Sequence, residues 1–292
     1  MSLWKEIAAD IAAATGLQSD LRQQGAVGGG CINQAQRVRY GGADYFIKYN
    51  SASKVDMFAA EADGLHELRQ CTALHIPVPL CYGNNDQSAW LVMENLSLGG
   101  RGDPAMLGEG LAAMHRITRD QYGWYRANTI GATPQNNTCC DDWIEFWRQY
   151  RLQFQLDLAA RKGAGARLQS QGERLLVELP AFFHGHAPLA SLLHGDLWSG
   201  NYAFLQSGEP TLFDPAVYYG DREADLAMTE LFGGFGADFY AAYNNAWPLD
   251  SGYRVRKKLY NLYHILNHFN MFGGGYLGQA QGMLDSLLSE LR

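Results

Sequence analysis

Long apolar runs are missing from this 292-residue chain. None approaches the ~18 residues that a membrane-spanning helix needs, so no membrane role is expected. Cysteine is sparse. The five are Cys31, Cys71, Cys81, Cys139 and Cys140, with no CxxC pair among them. An odd number argues for reduced thiols, and the adjacent Cys139 and Cys140 lack the spacing of zinc ligands. An excess of basic residues is missing too. Lys and Arg number 23 against 30 Asp and Glu, a formal net charge of −7. That balance leaves no general footprint for a nucleic acid. The start, residues 1–16, carries Glu6 and Asp10 and no apolar stretch before a cleavage site. It reads as an amphipathic helix, not a signal peptide, and the expected compartment is the cytoplasm. Disorder is excluded as well, since 47% of the residues are hydrophobic and only 18% charged.

What is present divides in two. At ~150 residues per domain, the length suits two domains or lobes. Residues 35–40 alternate and are rich in β-formers, and Tyr45–Tyr49 reads as a second strand after the turn at Gly41-Gly42-Ala43-Asp44. Met57–Gln70 has helical spacing, and Ala89–Met93 reads as a buried strand. Beyond about Leu96 the pattern turns helical: Pro104–Arg116, a long aromatic-rich helix over Asp141–Lys162, Glu173–Leu179, and Arg222–Leu291 with breaks at Gly233-Gly234 and Gly273–Gly275. The expected architecture is α+β. A β-rich lobe spans residues 1–95 and a larger, mostly helical lobe spans 96–292.

One segment carries the chemistry. Leu192-Leu193-His194-Gly195-Asp196 is followed by Asn201, five residues after the Asp, and then by Asp214 at the end of a short apolar strand. Phosphoryl transfer asks for this set. One carboxylate orients the acceptor hydroxyl and takes its proton, which suits Asp196. An amide oxygen and a second carboxylate hold magnesium, which suits Asn201 and Asp214, since Mg2+ takes hard oxygen ligands.

His-Gly-Asp-x-x-x-x-Asn with a later Asp resembles the catalytic and metal-binding loops of protein-kinase-like folds. Glycine in place of the kinase arginine is typical of the small-molecule branch, with aminoglycoside phosphotransferases and choline kinases. Longer pieces narrow the likeness. Gly28-Gly29-Gly30-Cys31-Ile32-Asn33-Gln34-Ala35, Ile130–Asn137 with Trp143, Phe146, Arg151 and Leu152, the Leu-His-Gly-Asp-Leu-Trp-Ser-Gly-Asn run, and Asp214–Met228 all resemble the fructosamine kinase (ketosamine-3-kinase) family. The likeness runs from about Gly28 to the C-terminus.

That resemblance implies ATP and Mg2+ in a cleft, with transfer of the γ-phosphate to the O3 hydroxyl of a ketosamine, free or on a glycated protein. The product then decomposes and frees the amine, which is deglycation. It also implies residue roles. Gly28, Gly29 and Gly30 form a loop whose backbone approaches phosphates. Lys48 contacts the α/β-phosphates and pairs with Glu61. Met93, Glu94 and Asn95 lie at the connection whose backbone reads adenine. His194, Asp221 and Asp225 brace the catalytic loop, and Asp225 could also cap the helix that starts there. Separately from the resemblance, Trp198 lies between Asp196 and Asn201, where core burial is awkward, so its ring is expected to contact the acceptor or its linker.

Other readings stay open. The acceptor could be an aminoglycoside, choline or another small alcohol, and the chain could be a nucleotide-binding pseudokinase that serves as an interaction module. It could be a monomer, or a redox-linked dimer through Cys31, whose place in a phosphate-binding loop would favour a thiolate. His184 and His186 have no cysteine or carboxylate at ligand spacing and read as a loop. Arg254, Arg256, Lys257 and Lys258 read as the solvated face of a helix. Acidity is also uneven. Residues 187–253 hold nine acids and one base, a charge of −8, so the rest of the chain sums to +1. The acids crowd the segment that carries Asp196 and Asp214, which favours a cationic amine over an anionic acceptor.

Overall fold

The structure is a computed structural model that describes residues 2–28 and 32–291. Gly29, Gly30 and Cys31 of the glycine loop lie outside the described residues. The chain opens with α1 (Leu3–Thr15), β1 (Arg22–Ala26), β2 (Gln34–Tyr40), β3 (Ala43–Ser51), α2 (Val55–Leu68), β4 (Pro79–Asn84) and β5 (Ser88–Glu94). It continues with α3 (Pro104–His115), β6 (Thr118–Arg119), β7 (Asn128–Ile130), β8 (Thr133–Gln135), α4 (Trp143–Trp147), α5 (Phe154–Arg161) and α6 (Ala166–Glu178). Then follow β9 (Ala190–Leu193), β10 (Tyr202–Phe204), β11 (Pro210–Leu212), β12 (Tyr218–Gly220), α7 (Glu223–Leu231), α8 (Ala237–Ala246), α9 (Tyr253–Phe272) and α10 (Tyr276–Ser289).

Two compact units result. The first takes the described residues up to Asp103 together with Tyr202–Pro215; the second takes Pro104–Asn201 and the chain from Ala216 onward. The boundary read from the sequence, at residue 95, thus falls short of the first unit by residues 96–103. It also omits the β10–β11 hairpin and Asp214.

The first unit is built on an antiparallel sheet of order β1-β2-β3-β5-β4. Alternation decides what each strand presents to each face. On β3, Ile47 packs with Val38, Tyr40, Trp90 and Val92 against Ile7 and Ile11 of α1. Both isoleucines are fully buried, and each contributes about 2 kcal/mol by leaving water. The indole of Trp90 donates to Asp10 Oδ2 at 2.9 Å, which ties α1 to the sheet. Lys48, one residue after Ile47, meets Glu61 of α2. The β10–β11 hairpin joins this unit through His75, whose N–H donates to Pro210 O at 2.9 Å and whose carbonyl accepts from Leu212 N at 3.1 Å.

The second unit is mostly helical. A three-stranded antiparallel sheet of order β12-β9-β6 leads into the loop after β9, and β7 and β8 form a small hairpin. The expected helix over Asp141–Lys162 is interrupted. Asp142 caps its start, accepting from Glu145 N at 2.8 Å. Residues 148–153 then form a π-helical turn, wider than an α-turn, that carries Arg151 into the interior. The helical stretch after Arg222 has a third break, at residues 247–252, besides the two glycine breaks. No described helix is long and apolar enough to cross a membrane.

Candidate active site

In the first unit the site is built around one lysine. Lys48 is 7% exposed and lies on a strand. An unpaired ammonium there would be costly. Two carboxylates answer it: Glu61 Oε1 at 2.5 Å and Asp214 Oδ1. Burial works to lower the Lys48 pKa, but Asp214 and Glu61 outweigh it and hold the ammonium charged, above its ordinary range. Burial pushes the Glu61 carboxyl up, against the pull of Lys48. Asp214 has φ of +59°, the only non-glycine with positive φ among the described residues. Its neighbour in sequence is Pro215.

In the second unit the loop after β9 carries Asp196 and Asn201. Gly195 has φ of +83°, and a Cβ there would sit 2.0 Å from Ala216 O, so only glycine fits between His194 and Asp196. Asn201 Nδ2 donates to Asp196 O at 2.8 Å, and Asp196 N donates to His194 Nδ1 at 3.3 Å. Asp225, at the start of α7, accepts from His194 N at 2.7 Å and from Gly195 N at 2.8 Å. It also accepts from His115 Nε2 at 3.2 Å. A carboxylate only accepts, so His115 carries its proton on Nε2 and takes the Tyr243 hydroxyl on Nδ1 at 2.8 Å. Burial lowers the His115 pKa and keeps the ring neutral. Burial would raise Asp225, but the hydrogen bond from His115 and the Gly195 N–H bring it below its ordinary value. Trp198 stands 39% exposed on the loop, and a Cβ on Gly200 would meet its ring at 2.3 Å.

The chain matches the fructosamine kinase family over residues 3–290. The chain belongs to that family. A relative named a probable ketoamine kinase, from Synechocystis, is 45% identical over 289 residues, covering 98% of this chain and 97% of its own. A chloroplastic protein-ribulosamine 3-kinase of Arabidopsis thaliana is 40% identical over 281 residues, 95% of this chain and 86% of its own. A solved Haemophilus somnus protein described as a fructosamine-3-kinase has a TM-score of 0.90 at 28% identity, covering 98% and 97% of the two chains. An aminoglycoside phosphotransferase, at 16% identity and a TM-score of 0.59 over 98% of each chain, shares the fold. The fold is therefore the protein-kinase-like one. The match starts at residue 3, so the likeness includes α1 and β1, which the motifs alone did not reach.

The other expected site residues are placed as follows. Gly28 is exposed, two residues after β1. Met93 is buried on β5. Glu94 donates its N–H to Val78 O at 2.8 Å, and its carboxylate takes His75 Nε2 at 3.2 Å and Val78 N at 3.1 Å. Asn95 follows it, half-buried. Asp221 accepts from the Tyr260 hydroxyl at 2.5 Å, His186 Nε2 at 2.8 Å and Glu223 N at 3.0 Å. Asn201 and Asp214 carry hard oxygens of the kind magnesium takes. The Asn201 amide nitrogen is spent on the loop, and the amide oxygen is the atom of that side chain that a hard metal ion would take.

Two sequence readings are corrected. Arg256 does not lie on a solvated face. It is buried and pairs with both carboxylate oxygens of Glu223, at 2.7 and 2.8 Å, and with Asp250 at 2.7 Å. Only its neighbours Lys257 and Lys258 make half-exposed or exposed pairs, with Glu230 and Glu290. His186 does lie in a loop, but three carboxylates come to it from distant sequence: Asp221 at 2.8 Å, Asp250 at 2.9 Å and Glu223 at 3.9 Å. Burial opposes charge on this ring, yet Asp221 and Glu223 raise its pKa above the ordinary value.

Sequence reasoning also passed over the buried polar hairpin. Gln135, Asn128 and Asn137 sit inside the second unit with Arg151 and Tyr263. Arg151 is fully buried, with its guanidinium 4.6 Å from the Phe146 ring centre and 4.2 Å from that of Tyr218. It donates to Asn136 O at 2.6 Å and to Asn137 Oδ1 at 2.7 Å. Polar residues at alternate positions of Thr133–Asn137 were the available signal.

Proposed function

We propose that the chain transfers the γ-phosphate of ATP to the O3 hydroxyl of a ketosamine, a fructose- or ribulose-linked amine, free or on a protein. The observation that carries the kinase reading is the pairing of Lys48 with Asp214 beside Glu61. It joins a phosphate-binding lysine to a metal-binding carboxylate in one cluster. The ketosamine acceptor is supported by family membership and by the names of the relatives.

Asp196 accepts the proton of the acceptor hydroxyl. Magnesium held by Asn201 and Asp214 would neutralise charge on the transferring phosphate. Lys48 binds the α/β-phosphates and Glu61 keeps it oriented. Gly28 brings a backbone N–H group to the phosphates, and the backbone near Met93, Glu94 and Asn95 reads the base. Trp198 offers an exposed indole face to the sugar or its amine, and aromatic faces attract ammonium groups. His194, Asp221 and Asp225 do no chemistry. Loss of the amine from the phosphorylated product makes the activity a repair of glycated amines.

The test is phosphorylation of fructoselysine and ribuloselysine with Mg·ATP, with the phosphate position read by NMR. Phosphate on O3 supports the reading. Turnover only of aminoglycosides or choline moves the acceptor to the wider kinase branch. ATP binding without turnover of any acceptor leaves a pseudokinase.

A further inference from the structure

Asp214 is held where its own sequence would not put it. Positive φ is disfavoured for any residue with a Cβ, and a following proline pushes its predecessor toward extended conformations. Asp214 has φ of +59° and precedes Pro215. Such strain persists only where the surroundings over-determine it. The chain is anchored on both sides. Before Asp214, Leu212 donates to His75 O at 3.1 Å and pairs with Tyr202. After it, Ala216 N donates to His194 O at 2.8 Å.

The second anchor has a further layer. Gln135, at the end of β8, donates from Nε2 to Ala216 O at 3.1 Å and to Asn128 Oδ1 at 2.8 Å. Its Oε1 accepts from the Tyr263 hydroxyl at 2.7 Å. Asn128 Nδ2 in turn donates to Val217 O at 2.8 Å. All four hydrogen bonds are buried, and the Gln135 side chain meets three partners, two acceptors at Nε2 and one donor at Oε1, that leave it one orientation. Both carbonyls that follow Pro215 are thus tied to the β7–β8 hairpin. Arg151 fixes that hairpin in turn through Asn136 and Asn137.

We propose that Gln135 is a positioning residue, which pins Ala216 so that Asp214 keeps the left-handed backbone in which its carboxylate serves the metal–nucleotide. The proposal rests on the kinase reading above. It assigns Gln135 no contact with substrate, only control over a residue that has one.

Calorimetry of ADP binding, with and without Mg2+, tests it on the whole chain. Mg2+ tightens ADP binding to the wild type. Gln135→Met, of similar volume, cuts that Mg2+-dependent gain by about tenfold and leaves metal-free ADP affinity within about twofold. Tyr263→Phe removes only the partner of Oε1, keeps both donations from Nε2, and retains the gain within about twofold. Should Gln135→Met not fold, Asn128→Ser takes its place. That variant keeps an acceptor for Gln135 but falls short of Val217 O, and it loses the gain in the same direction. A folded Gln135→Met with the full Mg2+ gain overturns the proposal. So does an equal loss in Tyr263→Phe, which would mark general packing damage. A wild-type chain that binds ADP with no gain from Mg2+ also overturns it. A wild-type chain that binds no ADP at all overturns the kinase reading itself, and this inference with it.

Discussion

The first unit holds its functional residues with charge; the second holds its own with hydrogen bonds. Lys48 is locked between Glu61 and Asp214, three ionisable groups in one cluster. The loop of Asp196 is held by backbone N–H groups, Asn201 and one carboxylate, with neutral His115 behind it. The difference teaches what each part is free to do. An ion pair can exchange partners, so under the proposed function Lys48 would turn from Asp214 to the phosphates, and the metal proposed on Asp214 would answer the carboxylate it leaves. A carboxylate that satisfies two buried N–H groups cannot be exchanged without orphaning both. Under the proposed function, Asp225 fits a loop that must stay still through the reaction, and Lys48 fits a group that must change partners.

The largest expected effect separates chemistry from binding. Asp196→Asn keeps shape and removes the base. Its kcat falls by about 10^3, within the range that a positioned proton acceptor supplies, while Mg·ADP affinity stays as in the wild type. Unchanged ketosamine turnover in Asp196→Asn would break the assignment of roles. Next comes the brace. Asp225→Asn replaces an acceptor oxygen with a donor against His194 N–H or Gly195 N–H. Stability drops by about 3 kcal/mol, read as a lower urea midpoint with an unchanged slope. If the fold tolerates it within 0.5 kcal/mol on the order of measurement error, the loop is not held as described. Glu61→Gln tests the exchangeable side. Lys48 keeps Asp214, so the fold survives. About tenfold is lost in kcat/KM for ATP, because the lysine is then held on Asp214 alone. A loss in the Asp225→Asn manner, in stability and not in kinetics, would erase the contrast between the two units.

Part of this was legible in the sequence, for physical reasons. The five-residue step from Asp196 to Asn201 is a property of one loop, so spacing carries it. Lys48 stands out because a lysine inside Phe46-Ile47-Lys48 violates the apolar pattern of its strand. Glu61 follows within one strand–helix unit. Legibility ends where partners come from far along the chain. Asp225 could be read as a loop brace, but His115 and Tyr243 behind it lie 110 and 128 residues apart from their partners in sequence. Arg256 looked solvated because three bases surround it, and only the fold brings Glu223 and Asp250 to it. The π-helical turn that buries Arg151 has no composition signal, since the stretch around it keeps helical spacing. The β10–β11 hairpin joins the first unit through the backbone of His75, and backbone hydrogen bonds leave no mark on residue types.

The smallest expected effect uses pH to tell the units apart. The second unit buries histidines that must stay neutral; the two histidines of the first unit, His66 and His75, are not buried. Burial and the nearby His268 push the His264 pKa down to about 3, from an ordinary 6.5. His115 is lowered as well, by burial. Between the two values the unfolded chain binds a proton that the folded chain does not, so acid favours unfolding. For His264 alone, stability falls by about 1 kcal/mol from pH 6.5 to 5.5. His186 works in the opposite sense. Its pKa is raised, so its contribution is fully present below 6.5 and is lost as the pH rises. His268 is lowered by burial too and adds to the loss, so the net acid loss is the sum over His264, His115 and His268 less the His186 share. Urea midpoints at the two pH values read that net loss, and His264→Gln recovers the His264 share. Hydrogen exchange places it: amides of α9 open at pH 5.5 while those of β3 do not. Equal opening of both would show that the units lose stability together, and that charge and hydrogen bonding hold one cooperative structure instead of two.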